Sequence, residues 1–200
     1  MRRKSIETRQ QIIEAAYTLF YQSGFIRTGV DAIAEAAGIT KRTLYQHFGS
    51  KDDLIEAVLG CQHQMALERI RQWADQISGK PERMVTALFE KLAQWAGGSE
   101  WKGSGFTRAA VEFVDLPGHP ARKAARLHKE RVEKHLAEKF TEQGLDGAAQ
   151  VAREVLLLIE GCQSLVLIHG NLDYIDAACH AALVLIQKYQ PKPRECISFQ

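Results

Sequence analysis

Long uninterrupted apolar stretches are missing from this 200-residue chain. The greasiest, VLLLIEGCQSLVLI at 155–168, is broken by Glu160 and Gln163. It falls short of the roughly 20 residues that a bilayer-spanning helix needs, so no membrane partner is expected. The four cysteines (Cys61, Cys162, Cys179 and Cys196) form no CxxC pair and no metal-type cluster. Free thiols in a reducing cytoplasm follow, and no disulfide scaffold. The basic start, MRRKSIETRQQ, has no apolar stretch behind it, so no signal peptide is expected. β-Branched runs with period-two alternation are also absent, which excludes a sheet protein. No nucleophile–base arrangement, phosphate loop or metal motif stands out, so the chain does not read as an enzyme, and it implies no cofactor.

What is present is an ordinary soluble composition, 46% apolar and 25% charged. The net charge of +2 hides an uneven distribution. Residues 1–51 carry eight Lys/Arg against four Asp/Glu, a balance of +4, and residues 52–200 carry eighteen against twenty, a balance of −2. A positive N-terminal segment is the electrostatic footprint expected of a surface for a phosphate backbone.

Apolar periodicity predicts an all-α fold. A first helix is expected over 5–22, with Ile12, Ile13, Ala16, Leu19 and Phe20 along its buried side and Gly24 ending it. A short second helix follows over 30–37, with Gly38 just beyond it. A third starts after Thr40, a hydroxyl suited to an N-cap. In GSKDDL, Gly49 breaks the chain, and Ser50 with Asp53 forms a variant capping box. A fourth helix over about 52–77 reaches about 40 Å at 1.5 Å per residue. Further helices are expected over 82–96, 104–115, 120–142, 148–169 and 173–189. The pattern divides the chain into a head at 1–51, a linking helix at 52–78 and a second domain at 79–200, with SGKP at 78–81 as the boundary.

The stretch TKRTLYQHFGSK at 40–51 carries the chemistry. A short helix, a glycine turn and a second short helix have helix-turn-helix proportions. At about 100° per residue Leu44 and Phe48 share one side, and Arg42 and Gln46 fall opposite, flanked by Thr43 and Tyr45. Lys41 lies near the helix start. Arginine reaches guanine O6 and N7, glutamine pairs with adenine, and a threonine methyl meets the thymine methyl. The exposed face is donor-rich and its helix contains no acid. Lys51 stands in the first turn of the next helix, where the helix dipole alone favours an anion; a docked phosphate makes better sense of it.

Residues 8–59 resemble the DNA-binding region of the TetR family of bacterial transcriptional regulators. The resemblance is carried by IIEAAYTLFYQSGFIRTGVDAIAEAAGITKRTLYQHFGSKDDLIEAV. Within it the specific elements are Gly24-Phe25, Ala34, Ala37-Gly38, Leu44-Tyr45, His47-Phe48 and Lys51-Asp52-Asp53-Leu54. The resemblance implies that Lys41, Arg42, Thr43 and Gln46 face base edges and that Thr40, Tyr45, His47 and Lys51 hold phosphates. Thr28 takes the matching threonine position before the second helix. Gly29 stands where the family often has Ser or Thr, so a phosphate would meet only its backbone N–H. Met1–Lys4 would form a disordered basic arm adding backbone or minor-groove contacts.

The remainder matches the family less closely, although residues 107–136 look like the middle of a common TetR-type regulatory domain. The resemblance implies a repressor released from a palindromic operator by a small-molecule inducer. That inducer would bind inside residues 60–170, and the fourth helix would transmit the change. Met65, Trp95, Trp101, Phe106 and Phe113 are expected either to line its cavity or to be core. Arg108 and Glu112, one turn apart, form either an intrahelical pair or polar anchors in that cavity. His119, His128 and His135 lack the spacing and carboxylate company of a metal site, and none is expected. The basic run from Arg122 to Lys139 is interleaved with Glu130, Glu133 and Glu138, as a solvated face of ion pairs would be. The last two helices carry more apolar surface than a monomer's outer layer needs, and a homodimer through 148–169 and 173–189 is expected. Two alternatives stay open: a helical small-molecule-binding protein whose DNA head has lapsed, for which Gly29 is the hint, and a small helical enzyme.

Overall fold

The computed structural model describes residues 2–75 and 80–190, and among these every regular element is an α-helix. In chain order they are α1 (Arg2–Ser23), α2 (Val30–Ala36), α3 (Lys41–His47), α4 (Lys51–Asp75), α5 (Pro81–Ala96), α6 (Gly105–Glu112), α7 (Pro120–Glu142), α8 (Ala148–His169) and α9 (Asp173–Lys188). The boundaries follow local chemistry. Thr40 and Ser104 cap α3 and α6 by accepting the backbone N–H of Thr43 and Thr107. Pro81 opens α5, where its missing N–H costs nothing. Gly24, Gly38, Gly144 and Gly170 take positive φ just past helix ends. The basic start is not a disordered arm from residue 2 onward. Arg2–Lys4 form the first turn of α1, because strong helix formers follow one another with no breaker among them. Met1, Cys196 and the Ser78–Gly79 pair of the expected boundary lie outside the described residues.

Packing divides the chain into two compact units, residues 1–69 with 102–130, and residues 70–101 with 131–200. This differs from the division at 52–78 read from the sequence. The reason is that α6 and the first part of α7 bury their apolar residues with the N-terminal helices. In the first unit Ile12, Ala16 and Phe20 of α1, Ile33 of α2, Leu44 of α3 and Leu54, Ile55, Val58 and Leu59 of α4 form one core with Phe106 and Ala109 of α6, its C-cap Phe113, and Ala121 and Ala125 of α7. In the second unit α9 packs on α8 and α5. Phe89 of α5, Phe140 of α7, Val155 of α8 and Ile175 and Ile186 of α9 are fully buried there. The charged side of α7 is laced as expected, with Arg126–Glu130 and Lys134–Glu138 pairs at 3.8 Å and Arg153 on Glu133 at 2.9 Å.

Candidate nucleic-acid interface

α3 is held by its two large apolar residues. Leu44 is fully buried and Phe48 nearly so, and the Arg9 guanidinium of α1 stacks 4.8 Å from the Phe48 ring centroid. Gly38 at φ +64° makes the turn from α2. Fixed from beneath in this way, α3 turns Lys41, Arg42, Tyr45 and Gln46 to solvent, with Thr43 and His47 half-exposed. Thr40 accepts the Thr43 N–H at 3.1 Å and its hydroxyl pairs with that of Thr43 at 2.9 Å. The expected base-facing and phosphate-facing residues of 40–47 therefore share one short element. Arg9, which supports Phe48, is a contributor that sequence pattern alone does not single out.

The surface is not free of acid as the helix sequence suggests. Asp31 of α2 reaches Lys41, with Oδ1 3.0 Å and Oδ2 3.1 Å from its Nζ. Hydrogen bonding to Asp31 and its charge raise the Lys41 pKa, so the cation is secure, but it is partly committed. The Asp31 carboxylate comes from the neighbouring helix, out of sight of a one-helix wheel.

Thr28 and Gly29 stand side by side before α2 in different settings. The Thr28 side chain is buried and its hydroxyl donates to the Gly24 carbonyl at 2.6 Å. It closes the end of α1 and does not face outward. Gly29 is the N-cap of α2 with φ −82°, an ordinary conformation, and open space surrounds the position of a missing Cβ. Nothing in the fold demands glycine there.

Lys51 opens α4. Ser50 accepts the Asp53 N–H at 3.0 Å, completing half of the anticipated capping box. The Lys51 ammonium donates to the Ile26 carbonyl at 3.2 Å. Burial lowers the Lys51 pKa, and the negative charges of Asp52 and Glu112 oppose that shift. Across the same corner His119, just before α7, lies 3.2 Å from Asp52, stacked on Phe113 at 3.8 Å between centroids.

The residues expected around an inducer separate. Phe106 and Phe113 belong to the core of the first unit, and Phe106 stacks on His128 at 3.7 Å. Met65 is 63% exposed. Arg108 and Glu112 do form an intrahelical pair, at 3.3 Å. They also grip the end of α1 and the turn after it: Arg108 donates to the Tyr21 carbonyl at 2.7 Å, and Glu112 accepts the Ile26 N–H at 2.9 Å. Among these residues Arg108 alone lines the small recess beside Phe20, Phe25, Val58 and Gln62, whose free volume of about 10 Å³ suits one water. In the second unit Trp95 and Trp101 meet edge to face, 5.8 Å between centroids.

Two short helices, a glycine turn between them, and a hydroxyl-capped second helix offering donors to solvent define a helix-turn-helix nucleic-acid-binding head. Residues 12–58 match the family model described as bacterial regulatory proteins, tetR family. The chain is 38% identical over 90 residues to the HTH-type transcriptional regulator TtgR of Pseudomonas putida, a match covering 43% of each chain. It therefore spans less than half the length of that relative. It is 24% identical over 174 residues to the HTH-type transcriptional regulator YjdC of Escherichia coli, covering 85% of this chain and 88% of that one. A TetR-family transcriptional regulator from Streptomyces coelicolor shares the fold with a TM-score of 0.83 at 24% identity, covering 92% of this chain and 97% of that one. Residues 12–58 thus carry the DNA-binding domain of the tetR-family type.

Proposed function

We propose that this protein is a ligand-responsive transcriptional regulator, a repressor released from a palindromic operator by a small-molecule inducer, and not an enzyme. The observation that carries the reading is the outward face of α3, where Arg42 and Gln46 lie one turn apart above the anchors Leu44 and Phe48. In this reading Lys41, Arg42, Thr43 and Gln46 meet base edges in the major groove. Thr40, Tyr45, His47, Lys51 and the Gly29 N–H hold phosphates. Residues 1–51 act as the head, α4 as the link, and residues 79–200 as the sensing and dimerising domain of a cytoplasmic protein.

Two features support the rest. The Nε1 of Trp101 and the Oε1 atoms of Gln143 and Gln163 are buried without a hydrogen-bond partner. Buried polar atoms are seldom left so, and a polar ligand would satisfy them. On α8, Leu157, Leu165, Leu167 and Ile168 are exposed, as is Val184 on α9. A second copy packed on that face would form a four-helix interface and present two α3 helices to successive major grooves.

Titrating the protein onto its own upstream DNA at several salt concentrations tests the central claim. Specific binding with a steep negative dependence on log salt is expected. Arg42→Ala should cost about 1–3 kcal/mol and relax the sequence preference, whereas Lys51→Ala should weaken all sequences alike. Wild-type protein that prefers no sequence over bulk DNA would remove the reading.

A further inference from the structure

The Lys51 ammonium is held by a chain of contacts that begins on α6. Arg108 pairs with Glu112 through Nε and Oε1 at 3.3 Å, and its Nη1 donates to the carbonyls of Tyr21 and Phe20 at 2.7 and 3.4 Å. The other carboxylate oxygen of Glu112 accepts the Ile26 N–H at 2.9 Å. The carbonyl of the same Ile26 accepts from Lys51 Nζ at 3.2 Å. Gly24 makes this approach possible, because a Cβ there would lie 2.6 Å from Glu112 Oε1. The α1–α2 turn is thus gripped on its N–H side by α6, and through its carbonyl it holds Lys51.

We propose that Glu112 is a positioning residue for DNA binding, fixing the Ile26 peptide so that Lys51 meets a backbone phosphate; this rests on the regulator reading above. An ammonium has three donors. One is spent on Ile26 and two remain for phosphate oxygens, so the Ile26 carbonyl sets the direction in which those two point. Arg108 keeps the arrangement compatible with DNA, since it neutralises a carboxylate that would otherwise repel the phosphate. A shift of α6 that draws Glu112 from Ile26 would release the turn and take Lys51 off the backbone without any change at α3. The α6 pair is then a point at which regulation enters the head.

The experiment measures affinity of the full chain for an operator duplex as a function of salt, for wild type, Glu112→Ala, Glu112→Gln, Lys51→Ala and the Glu112→Ala/Lys51→Ala double variant. Each lost phosphate contact lowers the slope of log affinity against log salt by about 0.9. Glu112→Ala is expected to lower it by that amount per subunit, Glu112→Gln to restore it by keeping an acceptor for Ile26, and the double variant to match Lys51→Ala alone. Partial unfolding reduces the active fraction and leaves the slope intact. If Glu112→Ala proves unfolded by circular dichroism, Glu112→Asp, one methylene too short for Ile26, gives the same reading. An unchanged slope in a folded variant, or an equal loss in the Lys51→Ala background, overturns the role of Glu112. Absence of sequence-specific binding by wild type would instead bring down the regulator reading.

Discussion

The Nδ1 atoms of His63 and His128 lie 3.0 Å apart, joining α4 to α7 within the first unit. One ring must donate and the other accept, so at least one imidazole is neutral in this arrangement. His128 is the more enclosed, 6% exposed and lying flat on Phe106. Burial, followed by the charges of Lys129 and His63, pushes its pKa down to about 3.

That depression makes stability depend on acidity. Below the usual histidine value of 6.5 the unfolded chain takes up a proton at residue 128 that the folded chain refuses. The stabilisation is therefore complete above pH 6.5 and is lost as pH falls toward about 3. The loss from this one group is at most about 1.4 kcal/mol per pH unit. Urea unfolding at pH 7 and pH 5 should show a smaller drop for His128→Gln than for wild type. Parallel drops would place the acid sensitivity elsewhere.

Gly24 is predicted to tolerate no side chain. Its φ of +89° is strained for any L residue, and an added Cβ would meet the Glu112 carboxylate at 2.6 Å. Gly24→Ala should destabilise the fold by about 1–3 kcal/mol. It should also lower operator affinity beyond the loss of folded protein, because Glu112 is displaced. A shifted urea midpoint with an unchanged denaturant slope is the expected signature.

The features legible in the sequence are those that short-range spacing fixes. Thr40 capping Thr43, Gly38 ending α2, and Leu44 with Phe48 anchoring α3 each depend on residues three to six apart. The illegible features join distant residues. Glu112 and Ile26 are 86 positions apart and His63 and His128 are 65 apart, and helical periodicity says only which face each occupies. Phe106 and Phe113 show why a sensing site is harder to read than a recognition helix. An aromatic at helical spacing looks the same whether it lines a cavity or fills a core, and here both fill the core. Thr28 makes the same point for a hydroxyl: its position before α2 is plain, but its acceptor, the Gly24 carbonyl, is set by the turn.

Asp31 should restrain DNA binding. Its carboxylate holds Lys41 at 3.0 Å on a surface where phosphates and base edges are expected. Asp31→Asn removes one negative charge per subunit and frees the lysine for the polyanion. Affinity should rise with a steeper salt dependence, and more for the operator than for unrelated duplexes, because Lys41 meets base edges. An equal gain for every duplex would mean that Lys41 meets phosphates alone.

Gly29→Ser should be accepted by the fold. Open space surrounds the missing Cβ, and the φ of −82° suits an N-cap serine. Serine in place of glycine at an N-cap is worth a few tenths of a kcal/mol, so a small rise in melting temperature is expected. The new hydroxyl also stands at the start of α2, where a phosphate is expected. Operator affinity should increase modestly, and a decrease would mean that DNA approaches too close for any side chain.

The exposed apolar face of α8 gives the most direct test of assembly. Ile168 is 71% exposed and Leu157, eleven residues earlier, is 66% exposed; about three turns separate them, so they point the same way. Gly161 and Leu165 lie between them on that side, and none of the four is charged. If a second copy covers this face, Ile168→Asp buries two unpaired carboxylates per dimer, each costing about 3–5 kcal/mol. Light scattering should then report a monomer where wild type gives a dimer. If the operator is palindromic and held by two α3 helices at once, the variant should also lose most of its operator affinity while keeping its helical content. A variant that remains dimeric would move the interface off this face.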